Sequence, residues 1–562
     1  MGTTKSALEV LEAFTSTFIK QQLCRYQEDA LRNLYKIIKI SDFYAELSRS
    51  NFAGERKSSW DEFLSITFGA AIMLPKLLTH CHSFSQLRNK QPNAVPDPYI
   101  VLTRIGALMN FKRLATGEKY GMTKCSVHSP EIVEINLVGD NLERLEHADR
   151  NALLEAERND RNLARLAIEN AESDLLQKTL NVRGYTDSTQ EFEDLRKIFR
   201  LRARLNMPVY AEADEFANKT QIGPLQFRDW KKIAINLCAI GATKAHLEDR
   251  SLARSGKLTK INFLENPPIL ISKEELELCF RIPALDEDPR IRDEILSCFL
   301  LDPKYAHEMP ESIDAPAPLL VSVQNEILMP RYSRIGNPYA FLLYRLKKIY
   351  DSKMSRVKDD RERQFRNDLE RRLDSSKYFF VQRSLTLRRS DKSILTDVDA
   401  AVYEKQSNTL YFIQLKWLAV LARDIRTRES QYTNLINPAT EWVGKVHNWI
   451  ALNSSKIILE KAGLRNLVCD DTTFQIRLMV VHRWWTRFSG KPPYDNRATW
   501  LSWPRFSLLL RQYNSSNCPL SCAWHNGNAV DGLNSSEALN KHSTYYNFPG
   551  LKVVISSEKS ER

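Results

Sequence analysis

The sequence predicts an α+β protein of more than one domain, with a mostly α-helical N-terminal region and then an α/β domain built on a central mixed sheet. Three observations carry that expectation. At 562 residues the chain exceeds what a single hydrophobic core organises. Through residues 1–310 apolar side chains recur mainly at helical spacing. Beyond residue 353 the pattern changes to short runs of β-branched and aromatic residues separated by helical stretches.

Taken in order, Ser6 to about Arg49 reads as helix, through Leu8, Leu11, Phe14 and Phe18 and then Leu31, Leu34, Ile37 and Ile38. Trp60–Leu78 is a second amphipathic stretch, kinked or ended at Pro75. Gln91–Pro98 holds three prolines and reads as a loop, and Tyr99–Leu114 as helix. Gly139–Leu205 is strongly charged and predicts a long exposed helix or helical hairpin, a solvated face or a partner-binding arm. Phe227–Leu247 is a further helix. In Ile269-Leu-Ile-Ser-Lys-Glu-Glu-Leu276 a short strand precedes a helix capped at Ser272 with acids in its first turn. The proline-rich stretch Asp302–Pro318 marks the main boundary, so residues 1–310 are expected to form the helical region, as one or two subdomains. Residues 319–352 read as strand, strand and helix, 353–530 as the α/β domain, and 531–562 as a polar extension.

Within the α/β domain, Val357–Leu373 is a charged helix with one apolar stripe through Phe365, Leu369 and Leu373. Helical geometry puts Glu362 within about 20° of Leu369 and Leu373 and turns Asp368 away, so Glu362 is the acid expected to face the sheet. Tyr378–Leu387 is the first strand. Ile394–Tyr403 and Leu410–Trp417 follow as a hairpin around the polar loop Glu404–Thr409. Side chains alternate along a strand, so Asp397 and Asp399 are expected to share a face, as are Gln414 and Lys416. A loop closing symmetrically about residues 405–408 sets Asp399 opposite Gln414 and Asp397 opposite Lys416. Leu418–Ile436 reads as a helix broken at Asn437-Pro438, Ala439–Leu452 as a second helix, Gln475–His482 as a core strand, and Trp500–Tyr513 as strand and helix.

D-V-D-A-A-V-Y at 397–403 followed by Y-F-I-Q-L-K-W at 411–417 resembles the PD-(D/E)xK nuclease superfamily, in the variant where Gln replaces the acid of the (D/E)xK element. The resemblance spans roughly residues 357–512. It implies a restriction-endonuclease-like domain, Mg²⁺ or Mn²⁺ as cofactor, DNA as partner, and hydrolysis of phosphodiester bonds. It implies Asp399 as principal metal ligand, with Gln414, the Leu415 carbonyl and Glu362 completing the set, and Lys416 orienting or deprotonating the attacking water. Asp399 rather than Asp397 matches the family because it directly precedes the apolar Ala400-Ala401-Val402. Asp397 is the secondary candidate, or else the partner of Lys416 in a buried ion pair.

Charge agrees with a polyanionic partner. The net charge is +12, and from Lys353 onward 33 Lys and Arg face 21 Asp and Glu, so the whole excess lies in the C-terminal part. Arg423 and Arg426 on the predicted helix, and Arg483, Trp484 and Arg487 in R-W-W-T-R, combine cations with aromatic faces, as nucleic-acid contacts do and as core packing at a strand end also does. No apolar run approaches the roughly 20 residues of a membrane span. The N-terminus lacks a secretory pattern, and M-G-T-T-K-S meets a myristoylation pattern that nothing else supports. Nine scattered cysteines predict reduced thiols and a cytoplasmic protein. Cys518, Cys522, His525 and His542 fit no common zinc spacing. No Gly-rich loop followed by Lys-[Ser/Thr] provides for an NTPase motor. The functional expectation is a metal-dependent DNA endonuclease whose helical N-terminal region supplies protein-partner binding, substrate selection or regulation. An inactive nuclease fold that binds nucleic acid or acts as a scaffold is the alternative, and a helical interaction protein whose C-terminal α/β domain is purely structural a third.

Overall fold

The computed structural model describes residues 5–27, 30–49, 56–81, 97–138, 142–160, 166–168, 170–171, 174, 189–206, 210–254, 269–280, 289–324, 326–331, 337–351, 357–381, 383–420, 424–465, 474–488, 491, 494–527 and 543–557. The chain is α+β, with a largely helical N-terminal region and several sheets of mixed direction. No helix among the described residues is long and apolar enough to cross a membrane.

Four helices open the chain: α1 (Ala7–Gln27), α2 (Ala30–Arg49), α3 (Arg56–Leu78) and α4 (Pro98–Thr116). Helix α3 runs on through Pro75 rather than ending there. Helices α3 and α4 cross at glycines. A Cβ on Gly69 would meet the Leu102 backbone, and one on Gly106 the Ser65 carbonyl, both far inside van der Waals contact. Gly106→Ala is therefore expected to force the helices apart and cost about 1–3 kcal/mol, read as a lowered urea midpoint. An unchanged midpoint would mean that the crossing is looser than the backbone geometry implies.

Strands β1 (Thr123–Ser129) and β2 (Ile132–Leu137) form a hairpin after α4. Charged helices α5 (Leu142–Asp160) and α6 (Thr189–Asn206) and the long α7 (Phe227–Arg254) follow. Next come β3 (Ile269–Ile271), α8 (Lys273–Cys279), α9 (Pro289–Ser297), β4 (Leu300–Leu301), β5 (Leu320–Val323), β6 (Glu326–Met329) and α10 (Pro338–Tyr350). The expected cap of α8 is present as a capping box between Ser272 and Glu275. The strands assemble in the order β3-β6-β5-β4. Alternate residues of this sheet enter two different cores. Val321, Val323 and Leu328 pack with α1–α4, while Leu320 and Met329 pack with α7 and α10. Residues 302–318 connect two parallel strands of this one sheet, so they are not the expected boundary, and the 319–352 unit is part of the N-terminal region.

The C-terminal domain starts with α11 (Val357–Arg372), then β7 (Tyr378–Phe380), β8 (Leu385–Arg388), β9 (Ile394–Val398), β10 (Ala400–Glu404) and β11 (Thr409–Lys416). After α12 (Ile425–Leu452) and α13 (Ser455–Lys461) come β12 (Gln475–His482), β13 (Ala498–Ser502), α14 (Trp503–Gln512) and α15 (Pro519–Gly527). A five-stranded sheet runs β13-β12-β11-β10-β7, parallel across β13, β12 and β11 and antiparallel beyond. Helices α12 and α13 cover one face, and α11, α14 and α15 the other. Helix α12 continues through Pro438, where a break was expected. Its proline is exposed, so the carbonyl that loses its N–H partner is on the solvent side.

The tail is not a polar extension. Its strands β14 (Thr544–Phe548) and β15 (Leu551–Ser557) complete the first sheet as β1-β2-β15-β14, with β15 parallel to β2.

Candidate active site

The expected register between β10 and β11 is observed. Ala400 faces Ile413 and Glu404 faces Thr409, which carries Asp399 to the level of Gln414. The Asp399 Oδ2 accepts hydrogen bonds from the Gln414 amide nitrogen and from the Leu415 backbone N–H at 2.7 Å. Sequence alternation did not reveal that the first strand breaks here. Asp399 is a bend between β9 and β10, and β9 leaves the main sheet to pair with β8. Asp397 therefore lies opposite Thr386, not Lys416, and its side chain is exposed. Asp397 and Asp399 do not share a face, and no buried Asp397–Lys416 ion pair forms. The bend is held from outside the strand: the Trp442 indole N–H donates to the Asp397 carbonyl at 2.7 Å.

Two charged groups, Glu362 and Lys416, act on Asp399 besides its hydrogen bonds. Burial is the largest influence and pushes its carboxyl up to about 6, Glu362 raises it further, and the Leu415 N–H, Lys416 and Gln414 pull it down. Glu362 on α11 thus acts on Asp399 through its charge, although it does not face the sheet as expected. Its side chain is half-exposed, with Lys358 3.8 Å away one turn earlier. Arg366, one turn after Glu362, was not singled out from the sequence. It donates to the Val381 carbonyl at 2.8 Å and is acted on by both Glu370 and Asp399. Its i,i+4 spacing from Glu362 was the available signal.

His482 was also missed. It faces Lys416 across parallel β11 and β12 and is buried. Burial and then Lys416 pull its pKa down to about 3, so the ring is neutral. Its Nδ1 accepts from the Trp484 and Trp485 amides at 3.1 and 2.8 Å, which assigns the proton to Nε2. That Nε2 has no hydrogen-bond partner.

The donor set suits a hard cation only in part. Among the described residues no group of three or more His, Cys, Asp and Glu gathers as a metal cluster. Mg²⁺ needs one or two carboxylates and keeps several waters. Asp399 meets that requirement, because both of its hydrogen bonds fall on Oδ2 and Oδ1 remains available. Glu362 can supply the second carboxylate. Gln414 presents its nitrogen to Asp399, so it becomes an oxygen ligand only with its amide turned over.

The basic and aromatic candidates divide differently from expectation. Arg423 lies outside the described residues. Arg426 is exposed on the first turn of α12, which Asp424 caps. The R-W-W-T-R run is a buried socket for the N-terminal region. Arg483 is buried, pairs with Asp214 (Nε–Oδ2 2.9 Å) and Asp368 (Nη1–Oδ2 2.8 Å), and lies over the rings of Trp417, Phe365 and Trp503. Asp368 therefore faces inward, because the buried side of α11 includes this arginine as well as the apolar stripe. Arg487 pairs with Asp149 of α5 at 3.2 Å, and Trp484 is buried beside Arg150. The Glu146 Oε1 of α5 accepts from the Thr486 and Arg487 amides, each at 2.9 Å. Helix α5 is therefore docked on the catalytic-candidate domain and is not a free arm. Cys518 and Cys522 are free thiols, and His542 lies outside the described residues.

Compared with known protein families, curated proteins and solved structures, the chain matches none.

Proposed function

We propose that the chain is a metal-dependent endonuclease that hydrolyses DNA phosphodiester bonds, with a restriction-endonuclease-like C-terminal domain. The observation that carries this reading is the gathering of Asp399, Gln414 and Lys416 at one end of β11, with Glu362 of α11 in electrostatic reach. The order α11, β7, β10, β11, α12, β12 around one mixed sheet supports the reading, since the resemblance implies a helix-borne acid ahead of the strands that carry these groups. A bound Mg²⁺ or Mn²⁺ supplies charge stabilisation on the phosphoryl oxygens and an activated water. Asp399 would hold such an ion, its carboxylate plane fixed by the Leu415 and Gln414 N–H groups. Glu362 on α11 would supply the second carboxylate. Lys416 presents an ammonium to the attacking water or to a non-bridging oxygen, and neutral His482 beside it adds no competing charge.

The test is cleavage of supercoiled plasmid and of labelled single-stranded DNA with Mg²⁺, Mn²⁺ or EDTA. Wild type is expected to cut only with metal, and Lys416→Ala is expected to lose about a hundredfold or more in rate. EDTA-resistant cutting, or full activity in the variant, would reject the assignment. One observation favours the inactive alternative: Gln414 presents a donor where the superfamily places a ligand acid. A well-folded wild type that binds DNA and never cuts it would decide for that reading.

A further inference from the structure

Strands β8 and β9 form a two-stranded hairpin set apart from the main sheet, and β9 runs directly into Asp399. Hydrogen bonds within the hairpin hold its turn. Its turn is closed by Arg389 N–H donating to the Ser393 carbonyl at 2.9 Å and Lys392 N–H to the Arg389 carbonyl at 3.0 Å. Asp391 accepts from the Ser393 amide and hydroxyl at 2.9 and 2.6 Å. The hairpin is also strapped to α12 by two indoles, two helical turns apart. Trp442 holds the Asp397 carbonyl at the base and Trp449 holds the Arg388 carbonyl near the tip, at 2.7 and 3.1 Å. Leu385, Leu387 and Val398 are buried beneath it.

Its outer side is cationic. Arg383, Arg388, Arg389 and Lys392 are exposed, against Asp391 and Asp397. Arg388 and Arg389 each donate through Nη1 to the turn itself, which fixes the direction of the guanidinium and leaves its other N–H groups outward. Among the described residues neither Arg388, Arg389 nor Lys392 forms an ion pair within 4 Å, whereas the buried arginines of the R-W-W-T-R socket are paired with carboxylates. At roughly 3.3 Å per residue the turn lies about 17–23 Å along the strand from Asp399.

We propose that this hairpin is a phosphate-contacting platform that holds the duplex backbone on one flank of the scissile bond. The inference rests on the DNA reading of the Asp399 site and adds to it the surface that positions the substrate. Two guanidiniums held by the turn and the exposed Lys392, none in an ion pair within 4 Å although Arg389 acts on Asp391 through its charge, suit a polyanion of regular phosphate spacing better than an apolar partner. The charges act on binding, not on the chemical step.

The test is fluorescence anisotropy with a labelled 30-base-pair duplex in EDTA, between 50 and 200 mM NaCl. It compares the wild-type full chain with Arg388→Ala/Arg389→Ala/Lys392→Ala. A control, Lys20→Ala/Arg25→Ala on exposed positions of α1, removes charge elsewhere. The hairpin variant is expected to bind at least tenfold more weakly at 100 mM salt, with a log–log salt slope shallower by about 2–3, at roughly 0.9 per lost phosphate contact. Arg388→Lys/Arg389→Lys is expected to restore most of the slope, since charge is kept and only the fork is lost. An unchanged slope in the triple variant, an equal effect in the α1 control, or no duplex binding by wild type would overturn the proposal. Plasmid cleavage measured beside it separates the two readings. A wild type that cuts and a hairpin variant that binds normally would remove the platform and leave the nuclease. Hairpin-dependent binding without cutting would keep the platform and remove the nuclease.

Discussion

Asp399→Asn is expected to abolish metal-dependent cleavage while making the metal-free protein more stable at neutral pH. The loss follows from replacing the carboxylate proposed as the principal ligand of the ion. Losing the several kcal/mol that such an ion supplies corresponds to roughly a thousandfold or more in rate. The gain follows from burial. The Asp399 carboxyl is pushed up from 3.8 to about 6, so between those values the folded chain binds more protons than the unfolded one. Wild-type stability contributed by this group therefore falls as pH rises from about 4 to about 6 and stays lowered above, by about 3 kcal/mol. Asparagine still accepts the Leu415 and Gln414 N–H bonds but has no charge to desolvate. Melting temperatures of the two proteins in EDTA should converge near pH 4 and separate above pH 6. Adding Mn²⁺ should raise the wild-type melting temperature and leave the variant unmoved. Retained cleavage would remove Asp399 from the site, and a stability difference independent of pH would show that its carboxylate is solvated.

The second large effect is structural. Arg483→Ala is expected to cost about 3–5 kcal/mol, because it leaves Asp214 and Asp368 without their buried counter-charge and empties a pocket between three aromatic rings. Arg483→Met keeps much of the packing and loses the same charge, so the difference between the two variants measures the packing share. Adding Asp368→Asn to Arg483→Met should recover part of the loss, because it removes a carboxyl that burial already pushes up. Urea unfolding followed by tryptophan fluorescence reads all three. A cost below about 1 kcal/mol would place Arg483 among ordinary surface arginines.

Local chemistry made much of this site legible. The polar loop Glu404–Thr409 between two apolar runs fixed the register, and with it the meeting of Asp399 and Gln414. The charged helix and its apolar stripe were legible too, but the acid it turns inward is Asp368, while Glu362 is half-exposed. What stayed hidden depends on partners distant in sequence. Alternation runs unbroken from Ile394 to Tyr403, and the bend at Asp399 exists because β8 and Trp442 claim the residues before it. Asp368 turns inward because Arg483 lies 115 residues further on. R-W-W-T-R reads alike as a nucleic-acid surface and as a socket, and only the acids of α5 and Asp214 distinguish them. In the tail, alternation of the same kind marks β14 and β15, but nothing local indicates that β2 is their neighbour.

The pairing of β15 with β2 also sets an order of events during synthesis. Val133 waits for Val553, and Ile135 for Ile555. At roughly 5–20 residues per second, the ribosome needs on the order of 20–80 s to cover the stretch between the two strands. Throughout that time one edge of β2 has no hydrogen-bonding neighbour, and the first core to emerge is the last to be closed. The nascent chain is therefore exposed to mispairing at a strand of a different sheet from the one that carries Asp399. Loss of residues 551–557 would be felt first by helices made at the very beginning.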